Sequence, residues 1–119
     1  QTNNDVYALN TCNWEWEKLE SLGSSPSPRA GASCCAVNTN SCFVYGGGGV
    51  FEKNVLKGCD DLYLLTVVEN IASWIRFEAT TSSGRVGSSL ESLGDHIVLH
   101  GGWDPETMTT YSETLMMHI

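Results

Sequence analysis

The stretch Cys42–Phe51, CFVYGGGGVF, decides how the rest of the chain is read. A run of strand-forming residues stops on four consecutive glycines, Gly46–Gly49. A phosphate-cradling loop would continue into Gly-Lys-Ser/Thr and a helix, whereas Val50 and Phe51 follow here. The same ending also returns later, as HIVLHGG at His96–Gly102. So do its neighbours: DVYAL (Asp5–Leu9) as DLYLL (Asp61–Leu65), SPRAGASCCAV (Ser27–Val37) as SGRVGSSLESL (Ser83–Leu93), and WEWEKL (Trp14–Leu19) as the weaker echo SWIRFEA (Ser73–Ala79). SETLMMH (Ser112–His118) is a fainter third copy of the Asp-Val-Tyr element. Arg29 and Arg85 are 56 residues apart, as are Tyr7 and Tyr63. Recurrence at a fixed period marks an architectural corner, where glycine supplies backbone angles denied to other residues.

Each unit divides into four short apolar segments. The first covers Ala30–Val37 and Val86–Leu93, and the second Cys42–Tyr45 and His96–His100. The third covers Cys59–Leu65 and Glu113–His118, and the fourth opens near Trp14 or Trp16 and near Trp74. Val, Leu, Tyr, Phe and Trp dominate them, as strands prefer, and turn residues such as Asn38-Thr39-Asn40-Ser41 and Gly94-Asp95 separate them. Several segments are apolar on both faces, which suits sheets stacked on sheets. Leu62–Ile75, LYLLTVVENIASWI, also places Leu64, Val68, Ile71 and Ile75 on one helical face. Its echo of Asp5–Leu9 favours a strand, a turn at Glu69-Asn70 and a second strand.

These residues resemble the kelch repeat, whose pattern is an Arg entering the first strand, Gly-Gly closing the second, a Tyr in the third and a Trp opening the fourth. Arg29, Gly46-Gly47, Tyr63 and Trp74 fill one unit in order. Arg85 and Gly101-Gly102 begin another, with Leu115 or Met116 in the tyrosine slot, and Tyr7 with Trp14 or Trp16 ends a preceding one. The resemblance implies an all-β fold: a β-propeller segment of four-stranded antiparallel blades in an incomplete ring. Residues 1–28 would be the last two strands of one blade, 29–84 a complete repeat, and 85–119 the first three strands of the next. A closed ring takes ~4–8 blades, so the remaining blades are expected from the same longer chain or from another subunit. The N-terminus, which has neither an initiator Met nor the basic and apolar regions of a signal peptide, fits a segment of a longer chain.

Function is constrained mainly by exclusion. Six Lys plus Arg against fourteen Asp plus Glu give a net charge of -8. That field repels nucleic-acid phosphates and anionic membranes, so neither is an expected partner, and basic or neutral proteins are. Five cysteines, odd in number and without a CxxC, read as reduced thiols in a cytoplasmic protein. His96 and His100 share a strand face but lie ~13 Å apart along it, too far to chelate one ion. No G-x-S-x-G elbow occurs. No catalytic group, metal or cofactor is therefore expected. The resemblance implies a non-catalytic protein–protein interaction module or scaffold, of the adaptor kind. The alternative is part of a metal-dependent kelch-type enzyme, whose catalytic groups would lie on other blades. Partner contacts are expected at one propeller face, in the connectors after each Gly-Gly. Phe51, Glu52 and Lys53 stand in one, and Trp103, Asp104 and Glu106 in the other, with Arg29 and Arg85 beside them. The two arginines also suit a purely internal role, bonding backbone carbonyls.

Overall fold

A computed structural model describes residues 3–50, 56–78 and 83–119. Phe51, Glu52 and Lys53 lie outside these described residues. Thirteen strands follow in chain order: β1 Val6–Asn10, β2 Glu15–Gly23, β3 Ser33–Ala36, β4 Ser41–Tyr45, β5 Gly48–Val50, β6 Leu56–Gly58, β7 Leu62–Val68, β8 Ile71–Phe77, β9 Ser89–Leu93, β10 His96–His100, β11 Trp103–Asp104, β12 Thr109–Thr110 and β13 Thr114–His118. No helix occurs among the described residues, and none is long and apolar enough to cross a membrane.

Leu62–Ile75 is a strand, a turn and a strand. β7 and β8 pair antiparallel from Leu62 beside Phe77 to Val68 beside Ile71. The helical spacing of its apolar residues yields to two-sided burial. Leu62 and Tyr63, adjacent and so on opposite faces, are 4% and 5% exposed. The turn holds Glu69 at φ 56°, a left-handed conformation uncommon for a residue with a side chain.

β3, β4, β7 and β8 form a four-stranded antiparallel unit, and β9, β10 and β13 repeat its first three strands. The two registers match: Val44 faces Tyr63, and Leu99 faces Leu115. Leu115 therefore takes the tyrosine slot. The core lies between the units, where Cys35, Phe43, Tyr45 and Leu62 of the first join Leu90, Ile97 and Leu99 of the second. Sheet packs on sheet, so both faces of the central strands are apolar.

Two features depart from the sequence pattern. The connectors after Gly-Gly carry short paired strands, β5 with β6 and β11 with β12, and a turn at Pro105–Met108 lets the second double back. The first two strands also extend the sheet of the complete unit. β2 joins the edge of β8 in parallel, with Glu20 beside Ile71 and Gly23 beside Trp74. The edge of β8 carries unpaired backbone groups that invite a strand. Gly23 permits the approach, since a Cβ there would sit 2.4 Å from the Trp74 carbonyl oxygen.

Candidate functional site

The two repeat-entry arginines build equivalent cradles. Arg29 donates from Nη1 to the Gly46 carbonyl oxygen (3.1 Å) and from Nη2 to Ser27 Oγ (3.0 Å) and Asp61 Oδ2 (3.1 Å). Arg85 donates from Nη1 to the Gly101 carbonyl oxygen (3.2 Å) and from Nη2 to Ser83 Oγ (3.4 Å) and Glu113 Oε1 (2.8 Å). Each guanidinium also lies against a tyrosine ring, Tyr63 at 5.6 Å and Tyr111 at 4.2 Å. Both arginines thus bond the backbone carbonyl of a corner glycine, the internal role that the sequence allowed. At 1% exposure, Arg85 presents no side-chain surface to a partner.

The corners repeat as closely. Gly46 and Gly47 have φ 69° and 92°, and Gly101 and Gly102 have 72° and 90°. Gly46 N–H donates to the Asp61 carbonyl and Gly101 N–H to that of Glu113. The units are chained through these corners. Gly47 N–H donates to the Arg85 carbonyl (3.0 Å), and Arg85 N–H donates to the Cys59 carbonyl (3.2 Å).

Burial pushes the Asp61 carboxyl up, but the Arg29 and Tyr63 hydrogen bonds and the Arg29 charge outweigh it, holding the group below the usual carboxylate range. Burial, then the bond to Asp61, raises the Tyr63 hydroxyl. All five cysteines are free. Burial raises the Cys35, Cys42 and Cys59 thiols, keeping them protonated and poor as nucleophiles at neutral pH.

Of the connector residues, Trp103 is 36% exposed at the start of the β11–β12 hairpin. Asp104 is half-buried, and its Oδ1 accepts from the Glu106 N–H (2.9 Å), fixing the turn and leaving the Glu106 side chain exposed. These three residues share one hairpin, whose first residue, Trp103, is backbone-paired with Val86, the neighbour of Arg85. Ala30 bridges Gly48 as Val86 bridges Trp103, so Trp103 occupies the position that glycine holds in the first unit. A Cβ on Gly48 would lie 2.9 Å from Val86 Cγ2 of the next unit.

Two groups were not singled out in the sequence. Asp61 and Glu113 complete the cradles, and the repeated Asp before the third strand (Asp5, Asp61) was their available signal. The second group is Asp95, His96 and His118. His96 Nδ1 lies 2.6 Å from Asp95 Oδ1, and His118 Nε2 lies 3.0 Å from Asp95 Oδ2. His96 and His118 are 22 residues apart in sequence, and only the β10–β13 register sets them opposite each other.

A model of the KLHDC2/KLHL20/DRC7 Kelch-repeats domain matches residues 1–119. The chain is 33% identical over 103 residues to Tip elongation aberrant protein 1 of Schizosaccharomyces pombe, covering 86% of this chain and 9% of that protein. It is 29% identical over 83 residues to Rho GTPase-activating protein gacHH of Dictyostelium discoideum, covering 70% and 5%. Human Host cell factor 1 is 34% identical over 70 residues, covering 52% and 3%. The chain therefore spans under ~10% of the length of these curated relatives. Among solved structures, that titled "Structure of YjhT" matches with a TM-score of 0.64 at 20% identity, covering 84% of this chain and 27% of that one, a likeness of fold.

Proposed function

The chain belongs to the kelch-repeat family, and from that premise we propose that it is a non-catalytic protein-interaction module, part of a propeller whose other blades come from the same longer chain or another subunit. One observation carries the reading: the arginines a ligand would need are already bonded within the chain, while the Trp103 hairpin stands exposed at the corner face. A partly exposed Trp ringed by polar groups is the usual composition of a protein-contact anchor. Trp103 is the anchor, Asp104 sets the turn, and Glu106 contributes charge. Phe51, Glu52 and Lys53 belong to the corresponding connector of the first unit. Arg29 and Arg85 act beneath this face as supports.

The net charge of -8 selects for basic partners. Five free thiols fit a reducing, cytoplasmic setting. On an array of Lys/Arg-rich peptides, the chain should bind in a salt-sensitive manner. Trp103→Ala and Glu106→Lys should each weaken that binding by about tenfold, the effect of losing an interface contact worth ~1.4 kcal/mol. Undiminished binding by both variants, with circular dichroism unchanged, would overturn the assignment.

A further inference from the structure

We propose that Asp95, His96 and His118 form a binding site for one divalent transition-metal ion of borderline softness, with Zn²⁺ as the reference ion. The site is assembled by the sheet. His96 opens β10 and His118 closes β13, and the two are directly paired across that antiparallel ladder. Such pairing brings Cβ atoms to ~5 Å, within reach of a shared ion. Asp95 arrives from the two-residue turn between β9 and β10, in which Gly94 at φ 62° supplies the first central residue. The Ile119 N–H donates to the Asp95 carbonyl oxygen (2.7 Å), tying the end of β13 to that turn.

The donor atoms already converge. One oxygen from Asp95 and one ring nitrogen from each of His96 and His118 all lie within 4.8 Å of one another. The imidazole rings meet edge to face, with centroids 4.9 Å apart. Bonds of ~2.0–2.2 Å to Zn²⁺ place tetrahedral donors ~3.4 Å apart, so small side-chain rotations suffice. Two imidazoles and a carboxylate are a borderline donor set, suited to Zn²⁺, Cu²⁺, Ni²⁺ or Co²⁺ rather than to Mg²⁺ or Ca²⁺. Asp95 and His118 are exposed and His96 half-buried, so an ion can enter and keep water in its remaining position.

The equivalent place in the first unit shows what the chemistry replaces. There the turn ends on Asn40, and Ser41 and Thr66 face each other with their hydroxyls 3.0 Å apart. The Asn40 carbonyl takes the Val67 N–H, as that of Asp95 takes the Ile119 N–H. One scaffold thus carries a neutral hydroxyl pair in a six-stranded sheet and a chelating triad in a three-stranded one. An ion in the triad would clamp β13 to the β9–β10 hairpin.

The test is titration of the full chain with Zn²⁺ by calorimetry and with Co²⁺ by absorption, while imidazole NMR signals are followed. One ion per chain is expected, with the His96 and His118 signals moving and that of His100, held by Thr114 Oγ1 at 2.8 Å, unmoved. The Co²⁺ spectrum should lack sulfur-to-metal charge transfer, which excludes the exposed thiols of Cys12 and Cys34 as ligands. His96→Gln and His118→Ala should each weaken Zn²⁺ at least tenfold, and His100→Ala should leave it unchanged. Zn²⁺ should raise the melting temperature by about 5 °C, a shift that both His variants lose. Retention of wild-type affinity in the His96→Gln/His118→Ala pair, a sulfur charge-transfer band, or absence of a one-to-one complex would each overturn the site.

Discussion

The complete unit around Arg29 and the three-stranded unit around Arg85 share a register, corner angles and a set of arginine partners, yet they place their buried charge differently. In the first, both members of the ion pair are shielded, with side-chain exposures of 8% for Arg29 and 14% for Asp61. In the second, Arg85 is at 1% while Glu113 is at 50%. Water solvates the Glu113 carboxylate, whereas the Asp61 carboxylate depends on Arg29 and Tyr63. One pattern of residues therefore yields a pair shielded on both sides in one unit and on the arginine side alone in the other.

The strongest test of this contrast lies at the corners. An Ala Cβ at Gly46 would sit 2.7 Å from the Arg85 carbonyl oxygen, whereas at Gly101 the nearest atom is 3.6 Å away. Left-handed strain of about 1–2 kcal/mol applies to both. Overpacking adds about 1–3 kcal/mol at Gly46 alone. Urea unfolding should thus show Gly46→Ala losing clearly more than Gly101→Ala; equal losses would mean that the corners are not differently packed.

Next come the carboxylates. Asp61→Asn strands a shielded guanidinium and should cost about 3 kcal/mol. Glu113→Gln leaves the buried Arg85 guanidinium on its Gly101 and Ser83 bonds and the Tyr111 ring, with water reaching the vacated position, and should cost less, about 1.5 kcal/mol. Denaturant midpoints measure both, and reversal of the order would break the contrast.

The smallest effect is in acid. The folded value of Asp61 is depressed, so its stabilisation is fully present above the unfolded value of ~3.9 and is lost as pH falls through the lower folded value. Below about pH 4 the parent should lose stability more steeply than Asp61→Asn. Identical acid slopes would remove the special status of this pair.

Local spacing was a poorer guide to these units than repetition. Leu62–Ile75 fits a helix by its apolar spacing, and only its kinship with Asp5–Leu9 identified β7 and the turn into β8. The choice between Trp14 and Trp16 needed the register. Leu9 faces Trp16 as Leu65 faces Trp74, so Trp16 is the counterpart, while Trp14 sits in the turn at φ 61°. The hairpins after the glycines were read as loops because two- and three-residue strands leave almost no alternation to detect. The arginine cradles were half legible: the arginines and their glycine carbonyls follow from the repeat, but Glu113 in place of Asp hid the second acidic partner. The His96–His118 pair was out of reach, since strand spacing along β10 says nothing about what β13 sets opposite.

The exchange of Gly48 for Trp103 gives the stack a direction. Where the second unit lies on the first, a bare hydrogen lets Val86 nestle against the chain. A neighbour laid on the second unit in the same way would collide with an indole, and it would need either a notch for that ring or a wider tilt. The Trp103 indole thus sets how closely a following blade can approach at this corner.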